Sequence, residues 1–259
     1  MQFISESDFR KHYKLQKFAD KAIVKFNLKF PMKLNSDLVK IVSFLTFDGH
    51  LTPNNKMFTF TAGSVDKLRD IIQISKRQFS VKGKIRKVET NTYGTSYEYR
   101  ICCKPAGKIL EILGVPTGDK VLKKFGVPSW ISDDKEFSFH YLKTAFECEG
   151  SLWKENKRTQ ITFKINKHDI LMKNGKKFLE TIREMLLKLG IETTEIWTIK
   201  SNKRKDGNIT IGVLFRIKSK SIDDFLNCFK FDKWGWPGHD VGQSFSRKKL
   251  GKDLHKVVV

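Results

Sequence analysis

The chain runs through one order of elements twice, and each pass opens on an apolar segment closed by an acid and a glycine. Ile41-Val-Ser-Phe-Leu-Thr-Phe-Asp-Gly49 is the first such segment and Leu142-Lys-Thr-Ala-Phe-Glu-Cys-Glu-Gly150 the second. Both are compatible with a helix. Glycine after a helical run reads as a left-handed cap. An acid in the last helical turn is less ordinary, because the negative end of the helix dipole repels it. Asp48 and Glu149 accept that cost twice, in a chain whose net charge is +22. Two carboxylates so placed point to a bound cation.

After the first segment (helix 38–48, preceded by Ser36-Asp37) come a strand, Met57 to Thr61, and a helix, Val65 to Phe79, with Val65, Leu68, Ile71 and Ile72 on one face. A strand pair follows, Lys82 to Val88 and Tyr97 to Cys103, around Asn91-Thr-Tyr-Gly94, and then a short helix, Lys108 to Leu113. The second pass repeats this order. Helix 138–149 leads to the strand Gln160 to Ile165 and to an amphipathic helix, Gly175 to Leu189, capped by Gly190. Strands Thr193 to Ser201 and Ile209 to Lys218 flank the basic turn Asn202 to Gly207, and Ser221 to Phe229 is a short helix. Two α-β-β-α-β-β-α units are an internal duplication of α+β class with antiparallel sheets.

Residues 1–37 read as a basic leader. Ser7-Asp8 would cap a helix through Ala22, and Val24, Phe26, Leu28 and Phe30 alternate with polar residues as a half-buried strand does, up to Pro31. Pro128-Ser-Trp-Ile131 and Ser132-Asp-Asp-Lys135 read as the linker between repeats. The division is therefore 1–37, 38–131 and 132–230, with a basic tail over 231–259.

Fifty Lys+Arg stand against 28 Asp+Glu, spread along the whole chain. Such a field favours a polyanion. A Lys-rich proteome is the plain alternative, but its excess ordinarily brings Glu as well. No apolar run approaches a membrane span, and the N-terminus has no signal-peptide core, so an intracellular protein of the cytoplasm or nucleoid is expected. The four cysteines show neither a CxxC pair nor matching histidines, which argues against a zinc site.

The strands alternate apolar residues with cations: Arg86 and Arg100 in the first unit, Lys164, Lys200, Arg216 and Lys218 in the second, with Lys203 and Arg204 in the basic turn. One face would pack on helices, leaving the other basic. A basic face of strands suits a nucleic-acid groove; an ordinary solvated face is the simpler reading.

With its two acid-glycine helix ends, its duplication and its basic strands, the chain resembles the LAGLIDADG homing endonucleases in their monomeric, two-repeat form. Leu142 to Gly150, followed by Ser151-Leu-Trp, fits the signature without gaps, and Ile41 to Gly49 is the more diverged copy. Gly114-Val-Pro-Thr-Gly-Asp-Lys120, then Val127-Pro-Ser-Trp-Ile131, resembles the stretch that ends the first repeat in archaeal members. The likeness spans about 38–230.

The resemblance implies two antiparallel sheets forming a DNA-binding saddle around a central pair of signature helices, with pseudo-two-fold symmetry. It implies a site-specific endonuclease that hydrolyses double-stranded DNA. Asp48 and Glu149, with the neighbouring Gly49 and Gly150, would hold Mg²⁺, with Mn²⁺ or Ca²⁺ able to substitute in binding. Lys120 would stand near the active-site water. Lys164 and, in the first repeat, Thr61 would fall beside the metals and contact DNA. The same scaffold also implies an alternative, a catalytically inactive binder: an intron RNA maturase or a transcriptional regulator.

Thr46 replaces the earlier acid of the motif, present in the second copy as Glu147, and Phe47 stands where the helix pair wants a small residue; Ser43, Thr144 and Cys148 supply small residues elsewhere. Either the helices splay at Phe47 or its ring turns away. Lys230 and Lys233 are candidate counterparts of Lys120. The chain does not open on Cys or Ser or end in His-Asn, so a complete intein is not expected. His140, His168 and His239 are isolated and read as structural or solvated. Trp234-Gly-Trp-Pro-Gly238 reads as a base-stacking platform or an aromatic turn, and Arg247-Lys-Lys249 with Lys252 as a phosphate contact or a solvated end.

Overall fold

The computed structural model describes residues 3–90, 94–155 and 158–231, apart from the side chains of Thr90, Lys200 and Ser201. They form two compact units. The first holds 3–90, 95–120 and 127–144, and the second 94, 121–126, 145–155 and 158–231.

The first unit opens with β1 (Phe3–Ile4), α1 (Glu6–Lys11), α2 (Gln16–Lys25) and β2 (Met32–Lys33), which pairs antiparallel with β1. Ser5 and Asp8 close a capping box on α1. The leader thus carries two helices where one was expected, and the strand expected from Val24 to Phe30 is absent. Val24 and Lys25 belong to α2, and the chain turns at Asn27 with φ 46°. Val24 is 81% exposed, so no sheet face uses the apolar alternation.

Then come α3 (Ser36–Thr46), β3 (Gly49–Leu51), β4 (Phe58–Ala62), α4 (Asp66–Phe79), β5 (Lys84–Thr90), β6 (Gly94–Ile101), α5 (Lys104–Ile112) and α6 (Ser129–Ser132). Asn35, ahead of the expected Ser36-Asp37, caps α3 by accepting from the Leu38 amide at 3.0 Å. The strands order as β3-β4-β6-β5. Helices cover one face: Phe44 of α3 meets Phe60 at 5.4 Å between centroids, and Phe79 of α4 meets Phe58 at 6.3 Å. Helix α7 (Lys135–Glu149) starts in the first unit and ends in the second.

The second unit continues with β7 (Gly150–Glu155), β8 (Arg158–His168), α8 (Met172–Lys188), β9 (Trp197–Lys203), β10 (Ile209–Arg216) and α9 (Ile222–Phe229). Its order, β7-β8-β10-β9, repeats that of the first sheet element for element. Phe146 of α7 is the hub of the core, 4.8 Å from Phe163 and 4.7 Å from Phe225 between centroids. Helix α8 ends in a Schellman motif. Gly190, at φ 82°, donates to Leu187 O, and Ile191 donates to Leu186 O. Gly114 ends α5 the same way at φ 93°, with Val115 donating to Leu110 O.

Segment 121–126 is tied to this unit by a fully buried lysine that the sequence did not single out. Lys167 Nζ donates to Lys123 O at 2.5 Å and lies 3.7 Å from the centre of the Phe125 ring. Asn174 exchanges two hydrogen bonds with the Phe125 backbone, at 3.2 and 3.0 Å.

The pairing registers fix which residues of the two repeats correspond. Gly49 pairs with Phe60 and Phe60 with Tyr99; Gly150 pairs with Phe163 and Phe163 with Phe215. Counting from these, Thr59 corresponds to Thr162, Thr61 to Lys164, Glu98 to Leu214 and Arg100 to Arg216.

Candidate functional site

Helix α3 is buried on nearly every side: Leu38, Val39, Ile41, Val42, Ser43, Leu45 and Thr46 are all inside. Small size matters at Ser43. Its hydroxyl donates to the Tyr141 carbonyl of α7 at 2.8 Å, which only a short side chain allows between two helix backbones. Thr46, at the position of the missing acid, donates back to Val42 O at 2.7 Å and serves its own helix.

The helix then stops. Phe47 has φ −106° and ψ −82°, and its ring packs edge-on against Tyr141 at 5.8 Å. A large residue is tolerated there because it has already left the helix. Asp48 therefore lies beyond the C-cap and not in the last helical turn, as the sequence suggested; Glu149 is the last residue of α7.

The two glycines are also not left-handed caps. Neither takes a positive φ; each is the first residue of a strand, and each is required by crowding. A Cβ on Gly49 would stand 2.7 Å from Thr59 O and 2.8 Å from Leu45 Cδ2. One on Gly150 would stand 2.5 Å from Phe146 O. The acid-glycine pair is thus a helix-to-strand hinge pressed against the preceding helix, and it fixes where each acid sits.

Lys120 is delivered to the first hinge by the Gly114–Lys120 stretch. Thr117 bridges to Leu51, and Gly118, at φ 74°, donates to Leu51 O at 2.7 Å. The Lys120 ammonium then donates to the carbonyls of Leu45, Phe47 and Gly49 at 3.2, 2.5 and 2.7 Å. Helix α3 has no basic residue in its last turn, so this lysine supplies the cation that the negative end of the dipole calls for. The Gly49 carbonyl, a candidate metal ligand, accepts from that ammonium.

Beside the hinge, His50 is held below its usual pKa, first by burial and then by the Lys120 charge, with Asp119 and Glu98 pulling the other way. Among the described residues no group of three or more His, Cys, Asp or Glu side chains is placed to hold a metal by itself.

The helix-free faces carry the candidate DNA contacts. In the first unit His50, Thr59, Thr61, Glu98 and Arg100 share that face. Glu98, an acid on a face expected to be basic, accepts from Arg86 Nε at 2.8 Å and from Arg100 Nε at 3.1 Å. In the second unit Lys164, Leu214, Arg216 and Trp197 share the corresponding face. Gly212 leaves room there for the Lys164 chain, whose Cε would lie 2.9 Å from a Cβ at that position. Arg216 lies near two indoles, its guanidinium carbon 5.3 Å from the Trp153 ring centre and 5.6 Å from that of Trp197.

The remaining candidates scatter. Lys203 ends β9, and Arg204 pairs with Asp206 in the turn at 3.3 Å. Lys218 has left the strand and, like Lys220, binds Glu192. Lys230 is a left-handed cap of α9. Lys200 has only its backbone described, and Lys233, Trp234 to Gly238, His239 and the tail from Arg247 lie outside the described residues. Glu98, Trp153 and Trp197 were missed. The signal was present for Glu98, which alternates with Arg100 along Tyr97-Glu-Tyr-Arg100.

Residues 136–228 match the family model of the LAGLIDADG-like domain. The chain is 29% identical over 209 residues to the tRNA-splicing ligase RtcB of Pyrococcus abyssi, a match that covers 75% of this chain and 22% of the ligase. It is 28% identical over 195 residues to the Rpo1N subunit of DNA-directed RNA polymerase of Methanocaldococcus jannaschii, covering 66% of this chain and 14% of the subunit. The chain thus spans less than a quarter of the length of these relatives. Among solved structures it is similar to the homing endonuclease I-WcaI bound to its DNA recognition sequence, at 11% identity and TM-score 0.48, covering 88% of this chain and 93% of that one. No helix among the described residues is long and apolar enough to cross a membrane.

Proposed function

We propose that this chain, which carries a LAGLIDADG-like domain over residues 136–228, is a site-specific, divalent-metal-dependent endonuclease acting on double-stranded DNA as a monomer. The observation that carries the reading is the shared register. Each repeat places an acid directly before a glycine that pairs with a core phenylalanine, and sets an arginine at the same position of the helix-free sheet face. Two carboxylates in equivalent positions, each with an arginine at the same position of its own sheet face, suit a substrate with two strands, one per repeat.

The relatives support it. The chain is similar to a minor part of a tRNA-splicing ligase and to a minor part of an RNA polymerase subunit, as a module carried within both would be. A module carried within two proteins of different name fits one that cuts DNA at chosen sites.

The donor set fits Mg²⁺. Asp48 and Glu149 offer hard carboxylate oxygens, and the described residues contain no larger acidic or histidine cluster. Mg²⁺ characteristically takes one or two carboxylates, keeps waters and completes its shell with substrate phosphates. Bound there, it would neutralise the scissile phosphate and lower the pKa of a water. The chain's own residues do the rest. The crowded glycines fix the acids, the Lys120 ammonium holds the end of α3 beneath Asp48, and the Thr61 amide donates to Asp48 O at 3.3 Å. Arg100 and Lys164 present positive charge to the backbone phosphates.

The test is selection of bound duplexes from a randomised pool in Ca²⁺, followed by exchange into Mg²⁺. Cutting of the selected duplex at one position is expected. Tight binding without cutting under any divalent ion would favour the inactive binder, to be tried next on intron RNA. Failure to enrich any duplex would sink the reading.

A further inference from the structure

The two repeats hold the same arginine in opposite ways. Arg100 and Arg216 occupy one register position, each directly across from a threonine, Thr59 or Thr162. Arg100 is bound through Nε and Nη2 to Glu98, whose single Oε1 also takes Arg86. Its charge is shared with a carboxylate that is itself largely covered, its side chain 15% exposed.

Leucine replaces that acid in the second repeat, and the arginine is held by stacking instead. Trp197 on the adjacent β9, and Trp153 on β7 beyond β8, bring both indoles within cation–π range of the Arg216 guanidinium. The nearest acid, Glu155, reaches Nη1 only at 3.9 Å. Arg216 Nε and the Thr162 hydroxyl are buried without a hydrogen-bond partner in the protein. An arginine kept only for structure would have its fork satisfied, because an orphaned buried donor is costly. Here rotation is restricted while the terminal nitrogens stay available on the helix-free face, where the side chain remains 34% exposed.

On the premise that this face meets duplex DNA, we infer that Arg216 is a base-reading residue of the second repeat, its fork pre-aligned by Trp153 and Trp197 for the two acceptors of a guanine edge. Arg100, tied to Glu98, is not a base reader. Guanine is the class chosen because N7 and O6 match the planar fork bidentately, which a flexible ammonium does not reproduce.

Sequence preference is measured by sequencing duplexes selected from a randomised pool, and salt dependence by titration. Arg216→Lys keeps the charge and most of the stem, so the salt slope should persist while preference for guanine at one position falls by roughly tenfold or more. Replacing both Trp153 and Trp197 by Leu, with Arg216 intact, should lose preference at that same position. Arg100→Lys should leave the preferred sequence unchanged. Wild-type preferences at every position in Arg216→Lys, or a uniform loss across all sequences, would overturn the inference and leave the nuclease reading standing. A wild-type protein that enriches no duplex would remove both. If the double tryptophan variant does not fold, Arg216→Lys decides alone.

Discussion

Lys120 and His50 both sit at the first hinge. The lysine donates to three carbonyls around the end of α3, and its charge helps hold the His50 pKa down. The resemblance implies a place for Lys120 beside the active-site water; the structure shows its ammonium on the carbonyls that end α3. Lys120→Met should destabilise the protein by about 1–3 kcal/mol, the cost of leaving backbone acceptors without their charged donor, read by chemical denaturation. In that variant the His50 pKa, followed by NMR, should rise towards its ordinary 6.5. The pH dependence follows from the direction of the shift. With its folded pKa depressed, His50 binds a proton more readily in the unfolded chain, so stability grows with pH across the interval from the folded value up to 6.5. It is complete above that and lost as pH falls through the folded value. His140, lowered by burial and then by Lys40, contributes with the same sign, so His50→Asn should flatten the slope without abolishing it.

At the scale of elements, the glycines show what a sequence can and cannot say. Gly190 and Gly114 end helices in left-handed caps, which apolar periodicity followed by glycine makes legible. Gly49 and Gly150 look the same in one dimension but answer to close backbone approach, which appears only once the strand has folded back. Gly150→Ala should therefore destabilise by about 1–3 kcal/mol through overpacking against the Phe146 carbonyl; a thermal midpoint equal to the wild type would contradict this. Most of the longer helices and strands were readable because burial imposes a period of 3.6 or 2 on the apolar residues, whereas β3 and β7, which open each sheet at the acid-glycine hinge, were given no range. The leader strand was misread because alternation at Val24 to Phe30 has no sheet to serve, and local helical hydrogen bonds win. The two tryptophans were hidden because cross-strand register, not sequence spacing, brings them to Arg216, whereas Glu98 stands two residues from Arg100 on one strand and was legible.

For the molecule as a whole, duplication is the feature from which the rest follows. It repeats one strand order, one register and one acid-glycine hinge, and it lets the two copies diverge in how they hold their arginines and hinge residues. The second copy keeps the signature more closely, and it is also the part that matches the family model. Thr46 and Phe47, the departures in the first copy, are absorbed by local packing and leave Asp48 on its hinge. We propose that cutting needs both Asp48 and Glu149. The direct measurement is Mg²⁺-dependent cleavage of the selected duplex by the wild type, Asp48→Asn and Glu149→Gln, with binding followed in parallel. Loss of cutting in each variant, with binding little changed, is the predicted result; cutting retained at the wild-type rate by either variant would contradict it.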